Sequence, residues 1–178
     1  MWRKRSKPIE EDDRVIKDVE KSRERTMNRA VKLLTAKQRS VAELRERLLE
    51  KAWTNAEIVE RVIEKLQEYG YLDDRKYATD LALSKLRQRP QGKRKLQQSM
   101  SQKKLDREIR DEAIVAAFEK IPEADLIDRA IEKRLRLKGR PETREETKRF
   151  YDHLLRQGFD FDLIREKMSA VRKLESDE

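Results

Sequence analysis

The residues with the clearest capacity for chemistry are basic ones. Leu81–Leu105 contains no Asp or Glu and carries Lys85, Arg87, Arg89, Lys93, Arg94, Lys95, Lys103 and Lys104. Ammonium and guanidinium groups at this density suit a polyanion or the acidic face of a partner. A run of charge alone equally describes the solvated side of a helix. The chain of 178 residues holds 45 Lys/Arg against 36 Asp/Glu, a formal charge of +9. Residues 75–122 hold 13 basic and 6 acidic side chains, so they carry most of the excess, whereas residues 123–178 balance at 14 and 14.

Other chemistries lack their residues. Without Cys there is no disulfide, no thiol nucleophile and no Cys-based zinc site. His153 is the one histidine, flanked by Asp152 and Arg156, and no Gly-rich phosphate loop accompanies it. Such a His reads as a surface or boundary residue of a helix. The Asp73–Asp74 pair reads as a helix cap. No catalytic residue, metal ligand or cofactor is therefore expected, and no enzyme. The longest apolar run, Ala113–Phe118, is far short of the roughly 20 residues of a membrane span. Met1–Pro8 is basic but no apolar segment follows it, unlike a secretory signal. A soluble, cytoplasmic, monomeric chain is expected.

The elements that must position these groups are helices. Four Gly and four Pro are too few for the turns of an all-β fold. Mean hydropathy is −1.05, yet Leu, Ile, Val and Phe make up 23% of the chain, just above the range in which no core forms. Periodicity predicts helices near 12–36, 40–51, 55–69, 74–88, 92–103, 106–120, 124–138, 144–157 and 160–173. Ser40-x-x-Glu43, Thr54-x-x-Glu57 and Thr143-x-x-Glu146 are capping-box patterns. With Leu96 and Met100 turned inward, helix 92–103 presents Arg94, Lys95, Gln98 and Gln102 to solvent, a face suited to phosphate contacts. The later stripe Arg129, Lys133, Arg136 and Arg140 is partly matched by Asp125 and Glu132 at i−4, so local pairing is expected there.

The helices repeat. Leu44, Leu48, Trp53 and Val62 recur 52 residues later as Leu96, Met100, Leu105 and Ile114, and a further 54 residues on as Phe150, Leu154, Phe159 and Met168. The first two of each set share one helix face, the third plugs the corner beyond it, and the fourth lies in the next helix. The fold expected is all-α: three tandem three-helix units in an elongated, modular arrangement behind an N-terminal extension. The units are placed at 26–72, 73–122 and 123–173, after an extension at 1–25 and before a tail at 174–178. Hinges are expected near Leu72–Asp74 and Pro122–Ala124.

Two stretches carry a family resemblance. Arg39-Ser40-Val41-Ala42-Glu43-Leu44 is followed by Leu48, and Leu66–Ala78 contains Tyr69-Gly70-Tyr71-Leu72-Asp73-Asp74 ahead of Tyr77-Ala78. With the tandem repeats and Leu154–Phe159, these resemble the RecX family of recombination regulators from about residue 26 to residue 172. Lys104 stands where that family usually has a glycine suited to a left-handed helix end. The resemblance implies a regulator that binds the RecA recombinase filament on single-stranded DNA and limits its growth or activity. Single- or double-stranded DNA would be contacted weakly through the basic residues above, with Gln98. A sequence-nonspecific DNA-binding protein acting without RecA is the alternative.

Overall fold

The computed structural model describes residues 9–10 and 14–173. The remainder of the expected extension and tail, residues 1–8, 11–13 and 174–178, lies outside them. Among the described residues there are nine helices and no strand: α1 Val19–Ala36, α2 Val41–Leu49, α3 Ala56–Glu68, α4 Asp74–Gln88, α5 Lys93–Ser101, α6 Arg107–Lys120, α7 Glu123–Lys138, α8 Arg144–Arg156 and α9 Phe161–Lys173. They form two compact units. One comprises residues up to Tyr77 with Lys103–Leu105, the other Ala78–Gln102 with residues from Asp106 onward.

In the first unit, α3 places Ile58, Val59, Val62, Ile63 and Leu66 on one face, and α1 and α2 pack against it through Ala30, Leu44 and Leu48. Leu72 closes this core after Gly70 turns the chain at φ +70°. A buried polar contact crosses the core: Thr26 donates to the Ser22 carbonyl (2.7 Å) and shares a hydrogen bond with the Thr54 hydroxyl (2.9 Å). Thr54 is therefore a core residue, and Asn55 caps α3 instead, accepting from the Ile58 amide at 2.9 Å. Ser40 does cap α2, but Glu43 does not complete the box and lies 3.8 Å from the Lys103 ammonium. Thr143 and Glu146 form the full reciprocal box at α8.

The first helix starts later than the pattern predicts, because residues 14–18 are engaged elsewhere. The Arg14 guanidinium donates to the carbonyls of Thr54 (2.8 Å), Lys51 (3.2 Å) and Leu49 (3.3 Å), and the Val15 amide to that of Ala52 (2.9 Å). Asp18 then caps α1 by accepting from the Lys21 amide at 3.1 Å.

One joint is built twice. The first amide of α2, from Val41, donates to the carboxylate of Asp74, the first residue of α4, at 2.9 Å. The first amide of α5, from Lys93, donates to the carboxylate of Glu123, the first residue of α7, also at 2.9 Å. The Ser40 hydroxyl donates to the Lys103 carbonyl (3.1 Å), and in the equivalent place the Gly92 amide donates to the Gln157 carbonyl (2.9 Å). Opening amides of a helix have no partner within it, and here the next triplet supplies the acceptors.

In the second unit the joint is tighter. A Cβ on Gly92 would stand 2.2 Å from the Gly158 carbonyl oxygen, and one on Gly158 would stand 2.4 Å from the Lys95 nitrogen. Only two glycines let these backbones approach so closely. The expected hinge at Pro122–Ala124 thus falls inside one compact unit, stitched by main-chain bonds. Lys104 takes φ +52°, the left-handed conformation its family position implies.

All nine repeat positions outside the corner residues keep the expected face: Leu44, Leu48, Leu96, Met100, Phe150 and Leu154 are buried, as are Val62, Ile114 and Met168. The corner residues diverge. Phe159 is fully buried, whereas Trp53 and Leu105 are half-buried. Trp53 lies beneath the Arg25 guanidinium, 4.5 Å from the ring centroid, so its outer face is covered by a cation rather than by the core.

Candidate functional site

Three helices of the second unit, α4, α5 and α7, bring basic side chains to one cleft. From α4 and the turn after it come Lys85, Gln88 and Arg89, with Pro90 and Gln91 behind them. Lys95 enters from α5. From α7, positions 130, 133, 134, 137 and 138 fall on one side of the helix, so Lys133, Arg134 and Lys138 line the cleft above an apolar floor of Ala130 and Leu137. His153 and Gln157, one turn apart on α8, complete the wall. The space is about 640 Å³ and no carboxylate among the described residues lines it.

The polar contacts within the cleft hold its walls in place. The Lys95 ammonium donates to the Gln157 side-chain oxygen at 3.1 Å. The Arg134 guanidinium lies 5.1 Å from the centroid of Phe150, a cation–π contact that fixes the stem of a long side chain. His153 is half-buried, and its imidazole is held below the ordinary value first by burial and then by the charges of Arg134, Arg156 and Lys95. Each of these disfavours the imidazolium. Cations converging without counter-charges create a positive potential that attracts an anion.

The basic residues singled out by sequence divide three ways. Lys85, Arg89 and Lys95 reach the cleft. Arg87, Lys93, Arg94 and Gln98 are exposed and do not line it. Lys103 and Lys104 are turned to α2, where they pair with Glu43 and Glu46 in the first unit. The acid-free window is thus contiguous in sequence but not a single surface. Sequence reasoning also left out Lys133, Arg134, Lys138, His153 and Gln157. The signal was present in the stripe through Lys133, but the pairing expected from Asp125 and Glu132 does not form among the described residues. The carboxylate of α7 that does pair, Asp128, meets Lys167 of α9 at 2.6 Å.

No helix of the described residues is long and apolar enough to cross a membrane. Comparison with known proteins places the fold and the joints in context. Three family models match in order: the RecX first three-helix domain at residues 27–66, the second at 73–114 and the third at 122–168. The regulatory protein RecX of Prosthecochloris aestuarii is 31% identical over 147 residues, covering 83% of this chain and 93% of the relative. That of Chlorobium limicola is 34% identical over 143 residues, covering 80% and 86%. The crystal structure of RecX from Lactobacillus salivarius has the same fold, with a TM-score of 0.75 at 18% identity over 86% of this chain and 98% of that one. Three domain matches in series, on three helical triplets with related joints, establish that the chain belongs to the RecX family of regulatory proteins.

Proposed function

We propose that this protein modulates RecA recombinase filaments on DNA, limiting their assembly or activity without catalysing a reaction itself. The observation that carries the reading is the ordered match of three RecX domains across residues 27–168. The protein acts as a cytoplasmic monomer, and its DNA contacts are weak and blind to sequence. The basic cleft supports such contacts: ammonium, guanidinium and amide groups position a phosphate backbone, and nothing there resembles a base-reading helix. It also favours one second reading, a helical DNA-binding protein that acts without RecA.

Titration of the full chain into RecA assembled on single-stranded DNA separates the two. ATP hydrolysis or strand exchange should fall at well under one molecule per RecA. An unchanged RecA reaction at every ratio, with DNA binding retained, would establish the second reading instead.

A further inference from the structure

We propose that the cleft between α4, α5, α7 and α8 receives consecutive phosphates of a nucleic-acid strand, and that His153 on its wall takes up a proton as the cleft fills. The inference deepens the DNA contact of the reading above and does not depend on RecA.

The occupant follows from the lining. Six cations face the space, from α4 and the turn after it (Lys85, Arg89), α5 (Lys95) and α7 (Lys133, Arg134, Lys138), and no carboxylate opposes them among the described residues. One phosphate would leave most of that charge unmatched; a run of phosphates matches it. Among the described residues His153 is the sole aromatic ring lining the cleft, which therefore offers no platform of aromatic rings for stacking bases. The Gln88, Gln91 and Gln157 amides can donate to phosphate oxygens. These features favour a backbone over a nucleoside.

The proton follows from what surrounds the imidazole. The charged groups acting on His153 are Arg134 from α7, Arg156 from its own helix and Lys95 from α5, and all three are positive. Burial first, and then these charges, disfavour the protonated ring. Phosphates set among the same cations cancel that repulsion, and imidazolium can then donate to a phosphate oxygen. Binding and protonation are linked, so affinity rises as pH falls through the interval between the two imidazole pKa values. His153 is the chain's only histidine, which makes the effect assignable.

The test uses the full chain, a labelled single-stranded oligonucleotide and inorganic tripolyphosphate. Affinity for the oligonucleotide should tighten from about pH 8 to about pH 6, by at most about tenfold per pH unit for one proton. His153→Gln, which keeps an amide donor but does not titrate, should lose that dependence. Titration calorimetry of the unaltered protein in two buffers of different ionisation heat should show proton uptake, a readout that needs no variant. Lys85→Ala and Lys133→Ala should each flatten the log affinity–log salt slope by about 0.7. Persistence of the pH dependence in His153→Gln, or no proton uptake, overturns the role of His153. Unchanged salt slopes in both lysine variants overturn the cleft. Binding of tripolyphosphate without the oligonucleotide makes the occupant a small polyphosphate and overturns the nucleic-acid assignment. None of these outcomes alters the RecA titration, so either reading can fail alone.

Discussion

Phe159 and Trp53 hold equivalent places in two repeats, yet truncating them should have different consequences. Phe159 is fully enclosed, so Phe159→Ala removes a whole ring from a packed core and should cost about 3–5 kcal/mol. Trp53 is half-buried under Arg25, and Trp53→Ala should cost about 1–2 kcal/mol, the lost burial plus a cation–π contact. Urea denaturation of the two variants checks this, and similar losses would mean that Trp53 packs as deeply as its counterpart. The same scale shows what residue type can and cannot reveal. Lys85, Lys95 and Lys133 are ordinary lysines in the sequence, and nothing in their neighbours distinguishes them from Lys93 or Arg129, which do not line the cleft.

At the scale of elements, glycines decide how the second and third triplets meet. Gly70 and Gly158 both have positive φ, at +70° and +86°. Nothing stands within 4 Å of a Cβ on Gly70, so Gly70→Ala should cost only the backbone strain, about 1–2 kcal/mol. Gly158→Ala adds a collision with the Lys95 backbone at 2.4 Å, and its cost should reach about 2–4 kcal/mol as the joint opens. Chemical denaturation ranks the pair, and equal costs would mean that the α5–α8 approach is not tight. The helices themselves were legible from periodicity, and so were the caps at Ser40 and Thr143. Thr54 misled because its pattern fits a capping box while its hydroxyl is needed by Thr26 in the core.

At the scale of the whole molecule, the first and third triplets carry contacts of their own beside the joints between triplets. In the first triplet, Arg14 and Val15 bond the carbonyls that follow α2, in the place where the turns after α5 and α8 accept from Ser40 and Gly92. In the third triplet, α8 caps itself through Thr143 and Glu146. Arg14→Ala should therefore loosen the first unit by about 1–3 kcal/mol, as charge-assisted bonds to partly buried carbonyls are lost. Hydrogen exchange should show α2 and the turn after it opening faster; unchanged protection there would mean the strap is dispensable. The sequence by itself determined the helical class, the three triplets and the family, because a buried stripe every 3.6 residues and its recurrence after 52 and 54 residues are written in local order. Only the tertiary structure decided the cleft. Periodicity fixes which face of a helix is apolar, but which polar faces converge depends on how helices pack. Here the close approach of Gly92 to Gly158 sets Lys85, Arg89 and Lys95 opposite Lys133, Arg134 and His153, groups separated by dozens of residues along the chain.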